Sequence, residues 1–299
     1  MTLSSSFTGF NTLHKTVEIN GLDIFYREAG PQNATSILLL HGFPTSSHMF
    51  RNLIPALSDK YHLVAPDYPG FGHSAMPARD QFAYTFDNYA NLVDQLLDRL
   101  DINNFIPYVF DYGAPVGLRL FNKYPERVPA IISQNGNAYN EGIAGFWDPI
   151  KAYWETGAEK EREAIRWLTT IKATKWQYEN GVSADRVQFL SPDGWQHDQS
   201  LMDRAGNAEI QLDLFYDYRT NIPLYRQWQE SFRRHKPPML GAWGKYDEIF
   251  VAPGAEAFKR DLPDAEIHLL DAGHFALETH GAEIAALIKS FLGKLNSAE

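Results

Sequence analysis

The sequence has no cysteine, which excludes disulfides, thiolate metal ligands and a cysteine nucleophile at once. It has no apolar run near the ~18 residues of a membrane-spanning helix. It also lacks a basic surplus. Lys plus Arg number 27 against 37 Asp plus Glu, a net charge of −10. An acidic chain without a Lys/Arg cluster is a poor ligand for nucleic acid or an anionic membrane surface. Neither is expected as a partner, and a small molecule is. Residues 1–7 read Met-Thr-Leu-Ser-Ser-Ser-Phe, with neither the basic nor the apolar stretch of a secretory leader. A soluble cytoplasmic protein is therefore expected, with no metal and no cofactor. Oligomeric state is not written in the sequence, and a homo-oligomer stays open.

What is present is apolar material in short pieces: 299 residues, 44% hydrophobic. Residues 16–28 alternate apolar and polar around Asn20-Gly21, the pattern of a β-hairpin. Residues 36–40, 61–65, 105–110, 128–132, 239–243 and 266–270 are short apolar runs of the buried-strand kind. Helical spacing falls between them, at 49–57, 86–100, 116–124, 254–260 and 283–295. Strands alternating with helices predict an α/β fold, a mostly parallel eight-stranded sheet flanked by helices. Residues 138–235 break the alternation. They show helical spacing at 161–178 through Ile165, Leu168 and Ile171, no buried-strand run, and six of the seven tryptophans. The expected organisation is a core of residues 1–137 and 236–299 with a helical cap, residues 138–235, inserted over one end of the sheet.

Ligands of open α/β sheets bind beyond the carboxyl ends of the strands. There the sequence places His41-Gly42-Phe43-Pro44, then Asp111-Tyr112-Gly113, then Asp247, then Gly273-His274. The order is nucleophile, acid, base. With Asp67-Tyr-Pro-Gly-Phe-Gly-His-Ser74, these motifs resemble the α/β-hydrolases of the epoxide hydrolase and haloalkane dehalogenase branch, over about residues 20 to 290. The resemblance implies an α/β-hydrolase fold with an Asp nucleophile. No Gly-x-Ser-x-Gly string occurs in the sequence, and Asp111 stands where the serine would be. Val109 departs from the small residue usual two places before it.

A carboxylate displaces leaving groups at alkyl carbon, so the implied chemistry is an Asp111 alkyl ester. His274, oriented by Asp247, would activate water against that ester, while the backbone N–H groups of Phe43 and Tyr112 hold the oxyanion. His41 is expected to brace the oxyanion loop, Lys245 to lie in a solvated loop, and residues 67–74 to form a structural turn. Opening an epoxide needs a phenol aimed from the cap, whereas halide release needs neutral N–H donors. Related dehalogenases carry Trp after the nucleophile and Asn in the oxyanion loop. Here those places hold Tyr112 and Phe43. In the segment 215–221, Tyr218-Arg219 resembles the Tyr-Arg of epoxide hydrolases, which makes Tyr218 the expected acid. Tyr153 is its expected partner, with Ile150 as the other register. The leading expectation is an epoxide hydrolase acting on an apolar small molecule. The alternatives are a haloalkane or haloacid dehalogenase with atypical halide donors, a non-hydrolytic lyase, and a ligand receptor.

Overall fold

The computed structural model describes residues 11–296. The N-terminal stretch read above for a leader lies outside them. Strands β1 (Leu13–Ile19) and β2 (Leu22–Ala29) form the hairpin around Asn20-Gly21, with Val17 opposite Ile24. Then come β3 (Ser36–Leu40), helix α1 (Leu53–Leu57), β4 (His62–Pro66), α2 (Phe86–Arg99), β5 (Ile106–Phe110), α3 (Gly113–Lys123) and β6 (Ile131–Gln134). The chain next runs through α4 (Asp148–Thr156), α5 (Glu159–Ala164), α6 (Ile171–Glu179), α7 (Pro192–Met202), α8 (Asn207–Asp217) and α9 (Tyr225–His235). It returns through β7 (Met239–Gly244), α10 (Ala252–Ala257), β8 (Glu266–Leu270) and α11 (Ala276–Asn296).

The eight strands form one sheet in the order β1-β2-β4-β3-β5-β6-β7-β8. The pairs from β4 through to β8 are parallel, and β2 runs antiparallel to β4. Alternate side chains feed two apolar layers: Leu38, Leu40 and Val109 face one, while Ile37, Leu39, Tyr108 and Phe110 face the other. Residues such as Leu39 and Leu40 are wholly buried; each contributes roughly 2 kcal/mol by leaving water. Helices on both faces make this double burial feasible, as a parallel sheet requires.

Several boundaries differ from the sequence expectation for local reasons. The 128–132 run starts its ladder late, because Pro129 has no N–H and pairing begins when Ile131 donates to the Pro238 carbonyl. The 49–57 helix is a 3-10 turn (Ser47–Phe50) followed by α1. The continuous period at 161–178 is broken into α5, a 3-10 turn (Arg166–Thr169) and α6, with Thr170 extended (φ −98, ψ 157) as the break. The last helix begins at Ala276, seven residues before the expected start, and kinks at His280. Among the described residues no helix is long and apolar enough to cross a membrane.

Candidate active site

Asp111 occupies the turn between β5 and α3. Its backbone φ is +48, a left-handed conformation that Asp tolerates better than most residues. This sharp turn lifts the side chain to the carboxyl edge of the sheet. The loop after β3 approaches from the other side, so close that a Cβ on Gly42 would sit 2.2 Å from Asp111 Oδ1. The absence of that atom lets Phe43 N–H donate to Asp111 Oδ1 at 2.6 Å. Oδ1 is thus already seated on a backbone donor, and Oδ2 is the oxygen that faces His274.

Oδ2 lies 4.0 Å from His274 Nε2. The other ring nitrogen, Nδ1, is 2.8 Å from Asp247 Oδ2. Asp247 is held in turn by Ile249 N–H at 2.7 Å and by Asn135 Nδ2 at 2.7 Å. Accepting two N–H bonds keeps Asp247 an acceptor, so His274 Nδ1 carries the proton and Nε2 presents a lone pair. Nε2 is buried with no hydrogen-bond partner among the described residues. Burial opposes a charged imidazolium, but Asp247 and Asp111 outweigh it and raise the ring's pKa. Burial also pushes Asp111 up to about 6, against the pull of His274 and of the Phe43 and Tyr112 N–H groups.

His41 braces the oxyanion loop: Tyr68 N–H reaches its Nε2 at 3.3 Å, so Nδ1 donates to the Gly42 carbonyl at 3.0 Å. Burial lowers its pKa, which keeps it neutral. Asp67 accepts the N–H of Ser47 and of His73, making 67–74 a tied turn. Lys245 pairs with Asp271 at the surface.

The helical segment between β6 and β7 closes over this edge with aromatic rings. Phe215 packs on Phe43 at 4.9 Å, and Tyr218 contacts Phe86 and Trp147 at 5.5 and 4.5 Å. Tyr218 is fully buried, and its phenol is raised well above the ordinary value by burial, with the negative charge of an ionised Tyr225 and of Asp111 adding to the effect. Its hydroxyl lies 3.4 Å from that of Tyr225.

The structure does not bring Tyr153, the expected partner, into hydrogen-bond contact with Tyr218. Its hydroxyl accepts from Arg162 Nη1 at 2.9 Å, and its ring lies 4.7 Å from Tyr216, beside the ion pairs of Arg162 with Glu209 and Asp213. Ile150, the other register, is an apolar core residue. Both sit on the buried face of α4, but that face at Tyr153 meets α5 and α8. Tyr225 was legible only as a second Tyr-Arg pair, Tyr225-Arg226, seven residues after the first. Asn135 carried no sequence signal beyond its position after a strand.

Three tryptophans near the site have their indole N–H groups taken by backbone carbonyls. Trp147 donates to Ile249, Trp154 to Phe215 and Trp243 to Phe250, at 2.7, 2.6 and 2.8 Å. Tyr112, by contrast, is 1% exposed and its hydroxyl has no partner among the described residues. No cluster of three His, Cys, Asp or Glu side chains able to hold a metal ion occurs among those residues.

A buried carboxylate beside a carboxylate-backed imidazole, with two paired phenols among the surrounding aromatic rings, has the parts for nucleophilic displacement followed by hydrolysis. Known proteins agree with the fold. The chain is 44% identical over 285 residues to the protein described as uncharacterized hydrolase YNR064C of Saccharomyces cerevisiae, covering 94% of this chain and 97% of that one. It is 38% identical over 280 residues to a haloalkane dehalogenase of Psychrobacter cryohalolentis, covering 92% and 89%. The solved epoxide hydrolase VrEH1 of Vigna radiata superposes with a TM-score of 0.75 at 23% identity, covering 95% and 98%. Residues 35–281 match the family described as alpha/beta hydrolase fold, and the chain belongs to that family.

Proposed function

We propose that the protein is a cofactor-free hydrolase that opens epoxides through an alkyl ester of Asp111. The observation that carries this reading is the pair of buried phenols, Tyr218 and Tyr225, of which Tyr218 is near enough to the buried Asp111 to feel its charge. Asp111 Oδ2 attacks an epoxide carbon while the ring oxygen leaves that carbon and takes a proton from Tyr218. The ester carbonyl oxygen stays on the Phe43 and Tyr112 N–H groups. His274 Nε2 then removes a proton from water as the water oxygen adds to the ester carbon. Collapse breaks the bond from the ester carbon to the alkyl oxygen, which leaves as the diol's second hydroxyl with the proton from His274. The water's other proton leaves the re-formed Asp111 carboxyl and restores Tyr218. The aromatic walls suit an apolar substrate. They also exclude water from the first step, which strengthens every charge interaction in it.

Tyr218→Phe keeps the ring packing and deletes only the acid. One positioned general acid contributes ~10²–10⁴-fold, about 3–5 kcal/mol. Epoxide opening should fall by that factor, measured as diol formation from a panel of terminal and aryl epoxides. Parent-like rates in this variant would remove the acid assignment and the reading with it. Ester formation should also follow the ionisation of Asp111. With that carboxyl pushed up to about 6, single-turnover alkylation should rise as pH increases through about 6 and level off above it. An alkylation rate unchanged down to pH 4 would mean that the attacking group is not this carboxylate.

Dehalogenation is the second reading. It is favoured by the 38% identical dehalogenase and by the unpartnered Tyr112 hydroxyl, a donor at the place where a halide would leave. Against it stand the three occupied indoles and the apolar Phe43 side chain in the oxyanion loop. A halide needs no proton, so halide release that survives Tyr218→Phe within a few-fold would favour this reading over epoxide opening.

A further inference from the structure

The two phenols are ordered by a third group behind them. Asn137 lies three residues beyond β6 and is 1% exposed. Its amide has one orientation, because Nδ2 donates to the Tyr139 carbonyl at 2.8 Å while Oδ1 accepts Tyr139 N–H at 3.3 Å. A flipped amide would set donor against donor and acceptor against acceptor. The side chain fits only because its neighbours are small. A Cβ on Gly142 would come within 2.2 Å of Asn137 Oδ1, and one on Gly254 within 2.7 Å. The Nδ2 group also donates to Tyr225 Oη at 3.2 Å.

Tyr225 Oη is therefore an acceptor from Asn137, and its own hydrogen must go elsewhere. Among the described residues the remaining oxygen within reach is Tyr218 Oη at 3.4 Å. Tyr225 Oη already accepts the Asn137 N–H, whereas Tyr218 Oη accepts from no other group among the described residues, so the chain runs from Asn137 through Tyr225 to Tyr218. That direction leaves the Tyr218 hydrogen over, available to a ligand.

We propose that Asn137 is a positioning residue which, acting through Tyr225, makes Tyr218 meet the substrate as a hydrogen-bond donor. The inference rests on epoxide opening as the reaction. As Asp111 Oδ2 bonds to carbon, the carbon–oxygen bond breaks and its electron pair goes to the ring oxygen. That oxygen takes the Tyr218 proton, and the O–H pair stays on Tyr218 as a phenolate. Tyr225 then donates into that phenolate, and Asn137 keeps Tyr225 turned to do so. The same order sets specificity: the substrate must present an acceptor oxygen at Tyr218, and one presenting a hydroxyl hydrogen or an ammonium there finds no acceptor.

The test needs no substrate in its first arm. Replacing Tyr218 with 3,5-difluorotyrosine brings its ionisation into an accessible pH range readable by absorbance. Placed in that background, Tyr225→Phe and Asn137→Leu should each lower the ionisation constant about tenfold, because the phenolate loses its donor or the donor loses its orientation. An unchanged or increased constant in Tyr225→Phe overturns the proposal. That variant keeps the ring and carries the test alone if Asn137→Leu fails to fold. In the second arm, with native Tyr218 and styrene oxide as probe, both variants should slow single-turnover alkylation about tenfold, with the epoxide concentration that half-saturates that step and the rate of ester hydrolysis unchanged. A larger effect on ester hydrolysis than on alkylation would also overturn it. If no epoxide alkylates the parent enzyme, the epoxide reading fails while the titration still decides the order of the phenols.

Discussion

Asp111→Asn should abolish multiple turnover, by 10⁴-fold or more on the scale of lost nucleophiles, and leave the fold intact. The amide fills the same space, and its oxygen can still accept from Phe43 N–H, where Oδ1 now lies at 2.6 Å. Its nitrogen would face the lone pair of His274 Nε2, now 4.0 Å from Oδ2. What it loses is the electron pair that attacks carbon. The variant should also be the more stable protein at high pH. Burial raises the Asp111 carboxyl from 3.8 to about 6, so ionising it costs the folded state about 3 kcal/mol. The penalty is absent below pH 3.8, where both folded and unfolded forms are protonated. It grows as pH rises and is complete above about 6. Thermal melts should show Asp111→Asn gaining on the parent between pH 4 and pH 8. Turnover at the parent rate, with Asn still present by mass, would remove Asp111 as nucleophile. A lower melting temperature at pH 8 would remove the burial explanation.

His274→Gln separates the two half-reactions. Alkylation needs only Asp111 and the phenol, so one equivalent of epoxide should still react. Hydrolysis needs a base, and His274 Nε2 is the buried, unpartnered nitrogen beside Asp111. Without it the ester should persist, with its decay slowed by ~10²–10⁴-fold as for a lost general base. Intact-protein mass spectrometry would show an adduct of the epoxide's mass, and peptide mapping would place it on Asp111. An unmodified variant, under conditions where the parent makes diol, would rule out the two-step scheme.

The sheet was legible because burial on both faces leaves unmistakable short apolar runs such as Ser36–Leu40 and Ile106–Phe110. The residues at the ends of β5, β7 and β8 were legible because strand ends announce where Asp111, Asp247 and His274 must gather. The helical insertion was legible as a unit, from its helical spacing and lack of buried-strand runs, but its internal packing was not. Its helices are short, several end in 3-10 turns, and its ion pairs draw polar groups inward. The period of α4 could therefore not say that Tyr153 turns to Arg162. Tyr225 was hidden for a related reason. It opens α9, and its meeting with Tyr218 depends on the 3-10 turns Tyr218–Thr220 and Ile222–Leu224 between them, which carry no apolar period.

The residues from 134 to 137 hold the groups that stand behind both the base and the acid of the proposed cycle. Gln134 donates to the His274 carbonyl, Asn135 holds Asp247, and Asn137 holds Tyr225. One tetrapeptide thus serves as a common datum for the base and the acid. A displacement of this loop would detune both half-reactions together. Exchanges among the aromatic rings of the insertion leave their registration untouched. Substrate range can drift along the pocket wall while the proton choreography stays fixed to the end of a single strand.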